Sequence, residues 1–470
     1  MRAKIVLNRS RKPRLELGHP WIFGNETDRM DGEAVPGGLV DVVDHKGRYL
    51  ATGYWNPESQ IRVRIIAYRP IEEMDKAFFA ERLERCKGHR ERFIPGQSDC
   101  RLVYGEADFL PGLTVDRFGG VLVVQLLTLG MDVRREALVD ALVEVFEPQG
   151  IYERSDVGVR ALEGLEERTG VLYGDCPRMV DITENGLHME VDIVEGQKTG
   201  YFFDQRENRA SISPIITGWG SRSGIRLEER PVRELPDNWP FEMKQDAETV
   251  TIPVNPNGKI VTYPYWDGAT VLECFAHTGS FTLHACKYGA KKVTCLDVSE
   301  HAIETARRNV ERNGFSDRVE FVVADAFEYL RAQMKGLEER TSRAEGGVKV
   351  DTSKPLSGAG RTWDVVILDP PAFAKTKGAV SGACRGYKDI NLHGMKLLNE
   401  GGYLVTASCS YHMKPELFLE TVLAAAEDAG KLLRLVEWRA AGKDHPLLLG
   451  VNEGHYLKFA IFEVRSKHLL

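Results

Sequence analysis

The sequence lacks long apolar runs, paired cysteines and the glycine-rich loops that bind phosphate chains. No run of eighteen apolar residues is present, and the first residues lack the apolar segment of a signal peptide, so we expect a cytoplasmic protein with no membrane contact. The 8 cysteines are scattered without the CxxC spacing of a zinc site, so we expect free thiols and no bound metal. Neither GxGxxG nor Gly-Lys-Ser/Thr occurs, which disfavours dinucleotides and nucleoside triphosphates as ligands.

Charge is unevenly distributed along the chain. The formal net charge of −7 argues against a surface that binds nucleic acid everywhere. The first fourteen residues nevertheless carry several basic side chains and no acidic one. This arm is either a solvated tail or a local patch that contacts phosphates.

Three blocks follow one another along the chain. Residues 1–72 alternate apolar and polar residues between turn formers, which predicts a small β-rich module. Residues 73–190 combine helical and strand-like segments and predict an α+β domain. Residues 191–470 alternate strands with helices, which predicts a parallel, doubly wound sheet with a final pair of strands that can be antiparallel. Two insertions, 211–266 and 334–361, have little periodicity and are interpreted as surface loops without a catalytic role.

Acidic residues end several predicted strands of the last block. The first strand runs into the turn at 274–280, and Asp297 ends the second strand eighteen residues after Gly279. This spacing suits a carboxylate that holds a ribose, so we expect an adenosine-containing cofactor. Without a phosphate-binding loop, S-adenosylmethionine fits best, with Asp325 facing its adenine and Asp369 near the methyl donor. Each acid taken singly could also be only a cap at a strand end.

A thiol ends the fifth predicted strand. Cys409 follows the apolar run at 402–407, and Asp369 ends the preceding strand. The carboxyl ends of neighbouring parallel strands meet at one edge of a sheet, so the two side chains could share one pocket. A nucleophile beside an acid suggests covalent chemistry on a flat ring.

Several segments together resemble one family. The chain is similar to the bacterial RlmI family of class I methyltransferases, which make 5-methylcytosine in 23S ribosomal RNA. The resemblance covers nearly the whole chain apart from the two insertions. The segments that carry it are 18–23, 105–108, 110–113, 196–206, 369–373, 382–391, 397–402, 408–410, 444–446 and 453–458.

The resemblance implies a fold and partners. We expect a Rossmann-like methyltransferase domain with a seven-stranded mixed sheet, preceded by a PUA-type RNA-binding barrel and the α+β middle domain. The expected partner is ribosomal RNA, and a homodimer is possible. In the domain division that follows, 1–72 is the PUA-type domain, 73–190 the middle domain, and 191–470 the methyltransferase domain.

The resemblance also implies a mechanism. Carbon 5 of cytosine is a weak nucleophile, so the thiolate of Cys409 adds first to carbon 6. Asp369 then hydrogen-bonds ring nitrogen 3 and the exocyclic amine. Many RNA enzymes of this chemistry carry a second cysteine where this chain has Ala372. Cys384, on a glycine-containing segment that we interpret as a loop, is expected to be structural or close to the substrate.

The remaining site residues are expected to bind the cofactor or RNA. Tyr201, Gln205 and Arg206 resemble the segment that covers the methionine end of the cofactor. Trp21 could stack on a base or be a core residue, and the latter is slightly favoured. The full set predicted to bind cofactor is Phe275, Thr278, Gly279, Ser280, Asp297, Val298, Asp325, Ala326, Asp369, Tyr201, Gln205 and Arg206, and the set predicted to bind RNA is Arg9, Arg11, Lys12, Arg14, Arg385 and Lys388.

Two other functions compete with this reading. An enzyme that methylates a base nitrogen often uses Asn/Asp-Pro-Pro followed by an aromatic residue and needs no thiol, so Ala372 and Cys409 argue against it. A non-catalytic ribosome-assembly factor would keep the fold for RNA binding. Such a binder needs neither the strand-end acids nor Cys409 as a set.

Overall fold

The computed structural model describes residues 2–220, 226–235, 248–255, 257–260, 268–345 and 360–469. The chain forms two compact units. Unit 1 contains residues 1–206 and 442–454, and unit 2 contains residues 207–441 and 455–470. None of the described helices combines the length and apolar character that a bilayer crossing requires.

Unit 1 begins with a six-stranded sheet in the order β2-β6-β5-β4-β1-β3. Its inner residues, among them Val40, Val42 and Val63, form a small apolar core. The alternation of apolar and polar residues that predicted a β-rich module therefore reflects one buried sheet face. Its strands are β1 Lys4–Leu7, β2 Trp21–Phe23, β3 Thr27–Asp31, β4 Leu39–Val43, β5 Tyr49–Trp55 and β6 Ile61–Ala67.

A five-stranded sheet and three helices complete most of unit 1. The strand order is β11-β10-β9-β8-β7, and β12 pairs with β13 as a separate hairpin. Tyr54 and Ile66 of the first sheet share a core cluster with Phe79 and Leu83 of α1, so the two sheets are packed through common apolar contacts. The elements are α1 Lys76–Phe93, β7 Cys100–Tyr104, β8 Leu113–Phe118, β9 Val121–Leu126, α2 Leu129–Asp132, α3 Arg135–Phe146, β10 Gly150–Ser155, β11 Arg168–Gly174, β12 Met179–Glu184 and β13 Leu187–Asp192.

Unit 2 contains the alternating strands and helices predicted from the sequence. A hairpin, β14 with β15, precedes the main sheet. The elements are α4 Arg206–Ser211, which starts at the end of unit 1, then α5 Ser213–Gly220, β14 Arg226–Pro231, β15 Thr249–Val254, β16 Thr270–Cys274, α6 Ser280–Lys287, β17 Lys292–Asp297, α7 Glu300–Arg312, β18 Val319–Val323, α8 Ala326–Glu345, β19 Trp363–Leu368, α9 Val380–Lys396, β20 Leu398–Ser408, α10 Pro415–Asp428, β21 Lys431–Arg439 and β22 Lys458–Ser466.

The main sheet of unit 2 has seven strands in the order β18-β17-β16-β19-β20-β22-β21. The first five run parallel, whereas β22 pairs antiparallel with both β20 and β21. The prediction of a mixed, doubly wound sheet with an antiparallel final pair is confirmed. The order reverses at β16, which leads outward to β17 on one side and lies beside β19 on the other. Ligands bind at such a switch point.

Local sequence explains where the helix α7 begins and ends. The Ser299 side chain accepts a hydrogen bond from the Ala302 N–H and caps the first turn. The predicted apolar face is buried at Ile303, Ala306 and Val310. Gly314, with φ of +73°, follows the last turn, as a helix terminator does.

Two interpretations of loops are wrong. Cys384 lies inside the regular helix α9, where it packs against the core of unit 2 rather than on a loop. The insertion at 334–361 is helical as far as Glu345, because α8 continues into it, and residues 346–359 lie outside the described residues. The other insertion, 211–266, contains α5 and the hairpin of β14 and β15, with 221–225, 236–247, 256 and 261–267 outside the described residues.

Candidate active site

Five parallel strands of unit 2 end at one edge of the sheet, and the predicted site residues lie at these ends or within two residues of them. The turn at 275–279 follows β16, and Asp297 is the last residue of β17. Asp325 follows β18, Asp369 follows β19, and Cys409 follows β20. The parallel register places these strand ends at one edge of the sheet, as a shared pocket of Asp369 and Cys409 requires.

The turn after β16 has an unusual backbone. Phe275 and His277 have positive φ angles of 65° and 50°, and Gly279 has one of 78°. Side chains are uncommon in this region, so the surrounding structure must hold the turn. A Cβ on Gly279 would come within 3.0 Å of the Ala306 side chain. Glycine therefore permits the close packing of the turn on α7.

Asp297 holds this turn from the neighbouring strand. Its carboxylate accepts hydrogen bonds from the His277 N–H at 2.8 Å and the Ser299 N–H at 2.9 Å. Each carboxylate oxygen has further acceptor capacity, so a ribose hydroxyl pair fits the same group. The adjacent Val298 side chain is 70% exposed, as an apolar contact for a flat base would be.

Asp325 has a structural role as a cap. Its carboxylate accepts a hydrogen bond from the Glu328 N–H at 3.0 Å and caps α8. The side chain is exposed, whereas Ala326 is buried. The binding of the cofactor by the turn, Asp297, Val298 and Asp325 stays a prediction.

An aromatic cluster lies beside these groups, and of its members sequence reasoning gave a role only to Phe275. Phe275 contacts Phe327 and Phe373 edge-on, at centroid distances of 6.4 and 6.5 Å. Phe373 packs on Tyr387 at 4.7 Å. The signal that could have found them is that Phe327 and Phe373 closely follow the strand-end acids Asp325 and Asp369.

Glu273 is the strongly perturbed acid of the site. It is buried at the end of β16, where its carboxyl accepts hydrogen bonds from the backbone N–H and the hydroxyl of Thr282. Burial raises its pKa to about 8, and the charge of Asp369 acts in the same direction. The pKa of Glu273 places a largely protonated acid next to the turn at neutral pH.

Cys409 is half-buried and is held by the loop that follows β19. Its thiol donates to the Pro370 carbonyl at 3.8 Å. The next residue, Ser410, accepts a hydrogen bond on its hydroxyl from the Ala374 N–H at 3.1 Å and exchanges another with the Tyr387 hydroxyl at 3.1 Å. Burial raises the pKa of Tyr387 to about 12, so this phenol stays protonated. The nucleophile predicted from sequence therefore lies against the Asp-Pro-Pro turn, as the shared-pocket hypothesis requires.

Lys458, at the start of β22, completes this arrangement. Its ammonium group donates to the carbonyls of Ser410, at 2.6 Å, and Tyr456, at 2.7 Å. Burial lowers the pKa of Lys458 to about 8. Sequence reasoning placed this lysine in a family segment without giving it a function.

The three residues expected near the methionine end of the cofactor belong to unit 1. Tyr201 is buried and donates to Glu184 at 3.1 Å, and Gln205 is buried as well. Arg206 forms an ion pair with Asp444 at 3.1 Å. Their role towards the cofactor stays a prediction, since these contacts are structural ones within unit 1.

Asp444 is the centre of a buried charge cluster in unit 1. Besides Arg206, it accepts the Arg101 N–H at 3.2 Å and contacts His445 at 2.8 Å. The pKa of Asp444 is lowered to about 2, because His445 and Arg206 outweigh the opposing effect of burial. Asp444 and His445 of the family segment at 444–446 therefore have a structural role in this cluster.

The basic side chains predicted to bind RNA divide into paired and exposed ones. Arg11 pairs with Glu16 and Arg14 with Glu26, whereas Arg9 and Lys12 are exposed. In unit 2, Lys388 pairs with Asp428 at 2.7 Å, and Arg385 is exposed on α9.

Family segments of unit 1 also line one cavity of about 250 Å³. Trp21 is half-buried there and donates from its indole N–H to Glu106 at 2.8 Å. Tyr104 and Pro446 form part of the wall, with Glu453 beside them. Trp21 is thus packed in part and exposed in part, so it matches neither a fully buried core residue nor a fully exposed stacking residue.

Comparisons with known proteins decide the family. A family model for PUA-like domains matches residues 5–68, and a model for methyltransferase domains matches residues 271–335. A ribosomal RNA large subunit methyltransferase I from Shewanella amazonensis is 38% identical over 99% of this chain and 100% of its own length. The protein of that name from Shigella boydii is 36% identical over 97% and 98% of the two chains. The chain belongs to this methyltransferase family.

Solved structures agree with the fold of this family. A putative SAM-dependent methyltransferase from Streptococcus mutans covers 98% of the chain and 99% of its own, with a TM-score of 0.68 and 18% identity. SMU.776, a putative methyltransferase complexed with SAH, covers the same shares with a TM-score of 0.69 and 19% identity. The predictions of the family, of a PUA-like domain, of a class I methyltransferase fold and of S-adenosylmethionine as cofactor are confirmed.

Proposed function

We propose that this chain methylates carbon 5 of a cytosine in large-subunit ribosomal RNA, with Cys409 as the covalent nucleophile. The names of the relatives support the RNA substrate. The observation that carries the cytosine-5 chemistry is the position of the Cys409 thiol against the turn that begins with Asp369. Base-nitrogen methylation needs no such thiol.

The chain's own residues account for the addition step. The thiolate of Cys409 adds to carbon 6 of the cytosine, and the ring electrons move towards nitrogen 3. Asp369 binds nitrogen 3 and the exocyclic amine, which supports protonation there. The ring then has enamine character, and carbon 5 becomes nucleophilic. The bound S-adenosylmethionine supplies an electrophilic methyl group to this site.

Release restores the thiolate. A base takes the proton from carbon 5, and the electron pair of that C–H bond re-forms the ring double bond. The bond between carbon 6 and Sγ breaks, its electron pair returns to Cys409, and nitrogen 3 gives up the proton that it gained in the addition step. The contacts of the Ser410 hydroxyl with Ala374 and Tyr387 hold the backbone beside the nucleophile through both steps.

Access to the target base requires residues outside the reaction centre that bind the RNA. A paired cytosine hides carbons 5 and 6, so the target must be unpaired or flipped at a cost of a few kcal/mol. Exposed Arg9 and Lys12 of unit 1 are suited to phosphate contacts that offset this cost. Arg385 offers a similar contact in unit 2.

The experiment is methylation of large-subunit ribosomal RNA by the purified chain with S-adenosylmethionine, followed by mapping of the modified atom. We expect 5-methylcytosine at one position, no product with Cys409→Ala, and product with Cys384→Ala. Cys384 is the matched control because it is a half-buried thiol packed on the same core. A methyl group on a base nitrogen, or product formed by Cys409→Ala, would overturn the proposal.

A further inference from the structure

Three elements converge on the residue that follows the nucleophile. The hydroxyl of Ser410 is bound by Ala374 and by Tyr387 of α9, and its carbonyl is bound by Lys458 of β22. The register pairs Ser408 with Lys458, so the lysine begins β22 where β20 ends. The backbone on both sides of Cys409 is consequently fixed.

Burial of the Lys458 ammonium group is energetically unfavourable. Lys458 is 2% exposed, and a buried ammonium group needs strong partners. The two carbonyls satisfy two of its three N–H groups but carry no full charge. A thiol that ionises nearby supplies the missing negative charge.

The charges around Lys458 support this arrangement. Burial lowers the pKa of Lys458 to about 8, the charge of Cys409 raises it, and Lys414 lowers it. The amine is still mostly protonated at pH 7. Tyr387, which contacts the Ser410 hydroxyl, is a neutral phenol because burial raises its pKa to about 12.

We propose that Lys458 is a positioning residue for the nucleophile: its buried ammonium group fixes the backbone beside Cys409 and stabilises the thiolate. When the thiolate forms, the S–H bond breaks, the sulfur keeps the electron pair and the proton passes to bulk water. Lys458 keeps all of its protons. The inference deepens the proposed function and rests on Cys409 as the nucleophile.

Alkylation of Cys409 by iodoacetamide tests this without RNA or cofactor. The rate at the Cys409 peptide of the full chain is measured by mass spectrometry across pH, because the thiolate is the reactive form. We expect Lys458→Met to slow the reaction at pH 7 about tenfold and to move its midpoint up by about one pH unit. Lys458→Arg, which retains the charge, should restore most of the rate.

Two controls separate electrostatics from misfolding. Lys431→Met removes a half-buried lysine of β21 that bonds Ser466 at the other end of β22, and it should leave the rate at Cys409 unchanged. The half-buried Cys384 in the same digest should react equally in all variants. If Lys458→Met does not fold, the wild-type profile decides: a midpoint below the ordinary thiol value of about 8.5 is expected, and one at or above it overturns the inference.

The outcomes also separate this inference from the proposed function. An unchanged rate and midpoint in a folded Lys458→Met variant would overturn the role of the lysine, while Cys409→Ala could still lose methylation. Methylation that persists in Cys409→Ala would instead overturn the covalent mechanism itself.

Discussion

Asp444 in unit 1 and Glu273 in unit 2 are both buried carboxyl groups, yet their pKa values are shifted in opposite directions. Asp444 is surrounded by His445, Arg206 and the backbone of Arg101, and its pKa is lowered to about 2. Glu273 has the neutral donors of Thr282 and a smaller effect of the Arg209 charge, and burial outweighs both and raises its pKa to about 8. A buried acid therefore keeps its charge at neutral pH only where neighbouring cations outweigh the effect of burial.

The difference separates two uses of buried polar groups. In unit 1 the buried acid is paired with positively charged groups. Removal of one partner leaves an uncompensated buried charge and is strongly destabilising. Beside the strand ends of unit 2, Glu273 and Lys458 have pKa values shifted towards neutrality. Perturbed groups gathered in this way are typical of reaction centres.

The most damaging way to break this comparison is Asp444→Asn. The substitution keeps the shape but removes the ion pair of Arg206 with Asp444, which leaves the pair with Glu184, so we expect unit 1 to lose about 3 kcal/mol in its free energy of unfolding. Urea denaturation at pH 7 measures it. Asp28→Asn, an exposed acid paired with Arg29, should change the stability by less than about 0.5 kcal/mol.

The same variant has a pH signature. The folded pKa of Asp444 is below its ordinary value, so its stabilisation is complete above about pH 4 and is lost as the pH falls towards about 2. Asp444→Asn should flatten this acid limb. A limb of unchanged slope would contradict the charge cluster as its cause.

The next largest effect concerns cofactor affinity. Asp297→Ala removes the expected ribose contact and the carboxylate that holds the turn through His277. We expect calorimetry to show S-adenosylmethionine binding weakened by about 1.5 to 3 kcal/mol. Asp317→Ala, an exposed acid of the same unit, is the control. Unchanged affinity in a folded Asp297→Ala variant would remove Asp297 from the site.

Glu273→Gln sharpens the other side of the comparison. Because the folded pKa of Glu273 lies above its ordinary value, its favourable contribution is present below about pH 4.5 and is lost as the pH rises to about 8. The slope is at most about 1.4 kcal/mol per pH unit. The neutral amide should remove this slope, as thermal unfolding between pH 5 and pH 8 can show. An unchanged slope of stability against pH in Glu273→Gln would show that another group causes it.

The smallest effect is expected at the basic arm. Arg9→Ala with Lys12→Ala removes two exposed charges and should reduce the slope of log affinity for ribosomal RNA against log salt by about 1 to 2. Point substitutions are needed because Tyr54 and Ile66 of the first sheet belong to a shared core, so a deletion would disturb unit 1. Arg29→Ala, whose guanidinium pairs with Asp28 and Asp31, should change the slope less.

Local patterns predicted the strand ends well. Asp297, Asp369 and Cys409 stand directly after apolar runs, and the parallel order follows from the helices between those runs. Both signals lie within short segments. The edge of the sheet and the candidate nucleophile were therefore accessible from the sequence.

Contacts between distant segments were not accessible. Lys458 reaches Ser410 across 48 positions because β22 returns antiparallel beside β20, and no local pattern encodes that pairing. Asp444 joins unit 1 from a segment that lies between two stretches of unit 2. Ion pairs of this kind depend on the completed fold.

The helix α9 shows how packing overrides propensity. Its glycines favour a loop when they are read locally, because glycine is a poor helix former. In the structure Gly386 faces the ring of Phe373, where an added Cβ would lie 3.3 Å from the ring. A Cβ added to Gly394 would likewise lie 3.2 Å from the Leu368 side chain. The helix is thus stabilised by contacts that small residues permit.

Covalent trapping tests the central claim most directly. Target RNA containing 5-fluorocytosine is incubated with the full chain and S-adenosylmethionine, since fluorine cannot leave carbon 5 as a proton does. We expect a stable protein–RNA adduct at Cys409, which Cys384→Ala retains and Cys409→Ala loses together with methylation of ordinary RNA. Methylation by Cys409→Ala, or an adduct mapped to another cysteine, would contradict Cys409 as the nucleophile.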